Sequence, residues 1–340
     1  MKLHIALIIG AAVLAASPAM AGDSNAPKPS KYTTTNLVSD QAGVAANTDP
    51  ELVNPWGISH APGQPQWVSD NGTDRSTVYD QNSGLKSLSV GVAGAPTGSV
   101  YNPPGGFEVS ENGKSGSSEF MFDTESGTIL GWAPGVDFSN AVVAVDNSAK
   151  GAVYKGLGID TGGKQIYAAD FANNEVQIYD STFTQTGSFT DNALPKRFAP
   201  FNVTLLGGNV YVSFAKREKH GFDELHGKGL GYVDVFDKSG TLQKRLISNG
   251  KLNAPWGMTI APSGFGTYAG ALLVGNFGDG KINAYDANTG DYLGTLKGTN
   301  GKALKIDGLW ALDAGPNANV TFTAGPDDET HGLLGLISAQ

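Results

Sequence analysis

Short runs in which apolar and polar residues alternate recur along the chain, each closed by a polar turn. The clearest are Val176-Gln177-Ile178-Tyr179-Asp180, Tyr232-Val233-Asp234-Val235-Phe236-Asp237 and Ile282-Asn283-Ala284-Tyr285-Asp286. A period of two with β-branched and aromatic residues predicts strands. Ahead of these lie shorter apolar runs that also end in polar turns, at 66–70, 120–123, 166–170, 210–214, 272–276 and 320–324. Before those stands a phrase, Asn54-Pro55-Trp56-Gly57-Ile58-Ser59, replayed as Asn253-Ala254-Pro255-Trp256-Gly257-Met258. It has weaker echoes at Ala95-Pro96-Thr97-Gly98, Tyr154-Lys155-Gly156-Leu157-Gly158, Ala199-Pro200-Phe201-Asn202 and Gly308-Leu309-Trp310-Ala311. Turns such as Asp237-Lys238-Ser239-Gly240 lead into outer strands such as 242–247 and 292–296. Four strands, A to D, in each of six copies spaced roughly 41 to 60 residues apart predict an all-β fold, a six-bladed β-propeller of four-stranded blades.

The sixth copy stops after its third strand, 332–338, at Gln340. Its missing outer strand can come from Thr34-Thr35-Asn36-Leu37-Val38-Ser39, so that residues 34–39 close the ring and no sheet edge is left open. A propeller domain over 32–340 follows, preceded by a loose tail at 22–31. Residues 1–21 have the pattern of a signal peptide, with Lys2, an apolar run from Ile5 to Ala16, and Ala19-Met20-Ala21 before Gly22. That run is shorter than the roughly 20 residues a spanning helix needs. Cleavage after Ala21 and a periplasmic or secreted protein are expected, with no membrane insertion afterwards. The chain contains no cysteine, which excludes thiolate chemistry and disulfides. Its net charge of −9 disfavours nucleic acid as a partner. A monomer is expected.

Several phrases resemble an uncharacterised family of exported bacterial six-bladed β-propeller proteins. They include Leu37-Val38-Ser39-Asp40-Gln41, Leu52-Val53-Asn54-Pro55-Trp56-Gly57-Ile58, Phe198-Ala199-Pro200-Phe201-Asn202 and Phe322-Thr323-Ala324-Gly325. At the level of the repeat the chain is similar in architecture to NHL-repeat and SMP-30-like (gluconolactonase) propellers. The second resemblance implies a divalent cation on the axis, held by one Glu, Asn side chains and an Asp. Blade one offers Asn54 in place of an axial Glu.

In a propeller the turns from strand B to strand C share one rim with the crossings from D into the next A strand, and pockets open there. Five B–C turns are short. The fourth, 216–229, has 14 residues of which seven are charged, against 16% for the whole chain. His220, Asp223 and His226 in this loop, with Asp328 and His331 in the turn of blade six, suit zinc, calcium or another divalent ion. Around such an ion Glu224 or Glu329 could serve as general base. Glu125 adds an unrepeated carboxylate to the blade-two turn. Trp56, Trp256 and Trp310 are either an aromatic floor for a ligand or wedges of repeat core. Asp70, Asp123, Asp170 and Asn276 recur at one position and read as turn caps. Gly113-Lys114-Ser115 lacks the leading glycine of a phosphate loop, and Gly105-Gly106 reads as a turn. Two functions fit: a binding or scaffold protein taking a carbohydrate, peptide or protein on this rim, or a metal-assisted hydrolase of an ester, lactone or similar small substrate.

Overall fold

The computed structural model describes residues 30–103 and 105–340. The signal peptide and nearly all of the expected tail lie outside the described residues. Within them, strands account for most of the ordered backbone, and six sheets are arranged in a ring. Blades one, three, four and five each run through four consecutive antiparallel strands. In blade one these are Pro55–Ser59, Gln66–Asp70, Arg75–Tyr79 and Lys86–Gly91. Neighbouring A strands touch in sequence around the ring, and the sixth, Leu309–Ala314, returns to the first.

Blade six closes as the strand count predicts. Tyr32–Ser39 pairs antiparallel with Leu333–Ala339, from Tyr32 opposite Ala339 to Ser39 opposite Leu333. A two-residue strand, Asn47–Thr48, runs parallel to its outer side. His331 takes part in this closure: its Nδ1 lies 2.7 Å from Asp40 Oδ2, while the Gly332 amide donates to Asp40 Oδ1.

Blade two differs from the expected plan. Between its A strand, Pro96–Tyr101, and its B strand, Phe120–Thr124, the chain makes an extra hairpin of Glu108–Glu111 and Lys114–Ser117. Only Val109 in it is a strong strand former. It is held by packing Val109 against Ala133 and Val136, and by the Phe107 amide donating to Ser181 O of blade three.

The Pro-Trp-Gly phrase has a geometric cause. In all six blades the pairing of strands A and B slips by one residue at the phrase, as between Pro55 opposite Asp70 and Ile58 opposite Val68. Such a β-bulge bends the strand and re-aims a side chain. The side chains it places, Trp56, Phe201, Trp256 and Trp310, come from four blades into one buried cluster at the centre. The glycine that follows lets A strands approach. A Cβ on Gly257 would lie 2.5 Å from Trp310 O, and one on Gly57 would lie 2.6 Å from Thr97 O.

Candidate functional site

At the repeat position that carries Trp in blades one, five and six, blade three carries Lys155. Tyr154 opposes Asp170 as Pro55 opposes Asp70 and Pro255 opposes Asn276, so the register makes Lys155 the counterpart of Trp56 and Trp256. The bulge therefore delivers an ammonium group into the aromatic centre. Lys155 is 2% exposed, and its Nζ lies 5.0 Å from the ring centroid of Trp56.

A buried cation needs partners, and the rim supplies them from alternate blades. Glu125 of blade two accepts from Lys155 Nζ at 2.7 Å, and Asp223 of the blade-four loop lies 3.8 Å away. Glu224, also in that loop, and Glu329 in the turn of blade six complete a set of carboxylates whose fields act on one another and on Lys155. Burial works against the charge of Lys155, but Glu125 and Glu224 outweigh it, and its pKa ends above the ordinary lysine value. Glu329 moves the other way for a carboxylate. Burial raises its pKa first, and repulsion from Glu224 and Glu125 adds to this against the hydrogen bond from Asn54 and the attraction of Lys155.

Amide side chains link these charges into one network. Asn54 Nδ2 donates to Glu329 Oε2 at 2.7 Å and lies 3.3 Å from Asn71 Oδ1. Asn71 Nδ2 in turn donates to Glu125 Oε2 at 2.9 Å. The floor joins the same network, since Trp310 Nε1 donates to Asn54 Oδ1 and Trp256 Nε1 donates to the Lys155 carbonyl. Asn54 is held with φ +46, in the left-handed region that Asn tolerates better than most residues.

The three tryptophans form the base of this site rather than an open platform. Trp56 and Trp310 stack at 3.5 Å between centroids, and Trp256 meets both edge-on, at 6.0 and 5.9 Å. All three are buried. Phe277 stacks on Trp310 at 3.9 Å, and the His226 ring meets Phe277 edge-on at 5.2 Å. Beside His226 and Phe277 a cavity of about 420 Å³ opens, bordered by Asp307, Asp328 and Glu329.

The long loop is fastened on both flanks. Arg217 Nη1 donates to the carbonyls of Phe171 and Ala172 in the blade-three turn. On the other side the Gly227 amide donates to Asn253 Oδ1. Glu224, its side chain 6% exposed, lies 3.8 Å from His226 Nε2. That carboxylate raises the His226 pKa above the usual 6.5 against partial burial, with Glu329 and Asp328 adding to the effect.

Of the carboxylates expected to cap turns, Asp170 does so by accepting from the Asn173 amide and side chain, whereas Asp123 and Asp70 tie strands together. Asp123 Oδ1 accepts from the Gly98 amide and the Thr97 hydroxyl, and burial pushes its pKa up to about 7. Asp70 Oδ2 accepts from both the amide and the hydroxyl of Thr77.

Comparison with known proteins finds no matching protein-family model. It does find two uncharacterized proteins of Acanthamoeba polyphaga mimivirus. One is 33% identical over 318 residues, covering 88% of this chain and 78% of the relative. The other is 35% identical over 323 residues, covering 88% and 84%. The chain belongs to their family. A third mimivirus protein is 32% identical over 210 residues, 60% of this chain and 39% of that relative. These family members come from a giant virus, whereas the sequence phrases pointed to bacteria.

Of the side chains expected to share a metal ion, the structure brings His226 and Asp328 to one cavity. Asp223 lies by Lys155 with its side chain 80% exposed, His220 is exposed in the loop, and His331 is engaged by Asp40. Among the described residues no group of three or more His, Asp or Glu side chains is placed to hold a metal ion. No sequence motif marks Lys155, Asn54 and Asn71 as a unit. The available signal was Lys155 itself, a charge in a column otherwise occupied by Trp, Phe and Thr.

Proposed function

We propose that this is an exported binding or scaffold propeller whose working face is the rim carrying 216–229. The cavity on that rim, between the turns of blades five and six, would take a ligand that presents positive charge, such as the amine or guanidinium group of a peptide or an amino sugar. The observation that supports this is Glu329. It borders the cavity, and burial together with two neighbouring glutamates disfavours its charged form. A cation arriving beside it would offset that repulsion, and charge-assisted hydrogen bonds are the strong ones in such a setting. Asp279, Asp307 and Asp328 also border the cavity and outnumber Lys305, the one lysine there. Export rests on the N-terminal charge and hydropathy pattern. The hydrolase alternative needs the expected histidine and carboxylate set to hold an ion, and among the described residues that set is not brought together; its SMP-30-like architecture is a fold analogy, a weak warrant for chemistry.

Calorimetric titration with a lysine-containing tripeptide and with its glutamate counterpart tests the reading. The cationic peptide should bind, more weakly at high salt, and Glu329→Gln should weaken it by about tenfold, the size of a lost charge-assisted contact. Equal binding of the acidic peptide, or no binding of the cationic one, sinks the proposal.

A further inference from the structure

The blade-four loop has a second flank. His226 lines the rim cavity, but Lys228, two residues on, lines a groove between the outer parts of blades four and five. The groove consists of two hollows of about 410 and 440 Å³ that share Lys228, Lys251 and Tyr292. We propose that it binds an acidic sugar, a ring that carries a carboxylate. The groove adjoins the rim cavity, with Asp279 bordering both, and does not depend on the reading given to that cavity.

Charge is the first argument. In a chain of net charge −9 the groove is bordered by Lys228, Lys251, Lys281 and Lys297. Lys281 is paired with Asp279 at 2.7 Å. For the other three, no carboxylate lies within 4.0 Å among the described residues. All three are exposed, and an anion in the outer hollow would face them together.

The second argument is a hydroxyl. Tyr285 is 2% exposed and lines the inner hollow with Leu246 and Ile247, and its hydroxyl has no hydrogen-bond partner. A buried polar group without a partner is costly and rare in a folded protein. A ligand hydroxyl in the hollow would satisfy it.

The third is an aromatic face. Tyr292 is 44% exposed, with Tyr285 edge-on to it at 5.8 Å and Lys251 Nζ 5.5 Å from its centroid. A sugar ring has an apolar face to lay on Tyr292, hydroxyls for Tyr285 and, if acidic, a carboxylate for the lysines. A neutral sugar would leave the lysines unused, and a small inorganic anion would leave Tyr292 and Tyr285 unused.

The test is an affinity comparison of digalacturonic acid, cellobiose and inorganic phosphate by calorimetry on the full chain. Digalacturonic acid should bind most tightly of the three, and more weakly as salt rises. Lys251→Ala should weaken it by about tenfold. Tyr285→Phe should weaken it several-fold without lowering Tm, because the hydroxyl has no partner in the free protein. A purely structural role for Tyr285 would lower Tm and leave affinity unchanged. That result overturns the proposal, as do cellobiose or phosphate binding as tightly as the acidic sugar, or no binding of digalacturonic acid.

Discussion

Lys155 in blade three and Trp256 in blade five stand at the same position of the same strand, behind the same bulge and before the same kind of close-packed glycine. They even touch, through the hydrogen bond from the indole Nε1 to the Lys155 carbonyl. Trp256 is held by what surrounds any large apolar side chain at the centre of a ring. Lys155 is held by carboxylates that reach it from blades two and four. The repeat thus fixes where a side chain goes, and the exchange of Trp for Lys converts a packing position into the centre of an ionic network. Glu125 and Asp123 repeat the lesson within one turn. The carboxylate on the repeat position holds the neighbouring A strand, and the one two residues later faces the lysine.

Removing each of the pair should separate the two kinds of support. Trp256→Ala should cost about 3–5 kcal/mol in urea unfolding, the usual range for a buried Trp, and the same amount in a Glu125→Gln background. Lys155→Ala should cost about 3 kcal/mol, because it breaks the ion pair of a buried cation and leaves Glu224, 6% exposed, without that cation's field. In the Glu125→Gln background that cost should fall by about 1 kcal/mol or more, as expected for coupled neighbours. Equal costs of Lys155→Ala in the two backgrounds would mean that Lys155 acts by packing alone.

Gly257→Ala probes the position that follows. With Trp310 O 2.5 Å and Leu312 N 2.8 Å from the added carbon, overpacking should cost about 1–3 kcal/mol, read as a lower urea midpoint at unchanged slope. A midpoint unmoved would show that the A strands are free to separate. The smallest effect is electrostatic. The His226 resonances should titrate above pH 6.5, the ordinary value it exceeds here, and Glu224→Gln should bring the midpoint back towards that value. Because the folded pKa is the higher one, the contribution of His226 to stability is present at low pH and lost as pH rises through the raised value.

The six-fold repeat was legible because period-two runs and the Pro-Trp-Gly phrase recur in step. Even the closing strand could be placed, since the last copy is one strand short. What could not be read depended on long-range contacts. His331 looked like a free imidazole, but Asp40, its partner, is 291 residues away in sequence. The indoles could be either a floor for a ligand or repeat core, and sequence does not show that the bulge turns them into one another. The hairpin at 108–117 went unseen because its Ser, Gly and Lys content gives little strand signal. Its register is set by packing on blade two rather than by its own pattern.

Closure of blade six also sets a timetable for synthesis. Thr33 and Gln340, joined by a hydrogen bond, are 307 positions apart. Bringing the ends of so long a segment together costs about 5 kcal/mol of chain entropy. At ribosomal speeds of about 5–20 residues per second, the strand Tyr32–Ser39 waits roughly 15 to 60 seconds for Leu333–Ala339 to exist. The ring cannot be completed one blade at a time as the chain emerges, because the first strand made is among the last to find its neighbour. In the meantime the stretch after Tyr32, Thr33-Thr34-Thr35-Asn36, presents hydroxyls and an amide rather than apolar side chains, which makes this part of the unpaired edge a poor template for another chain.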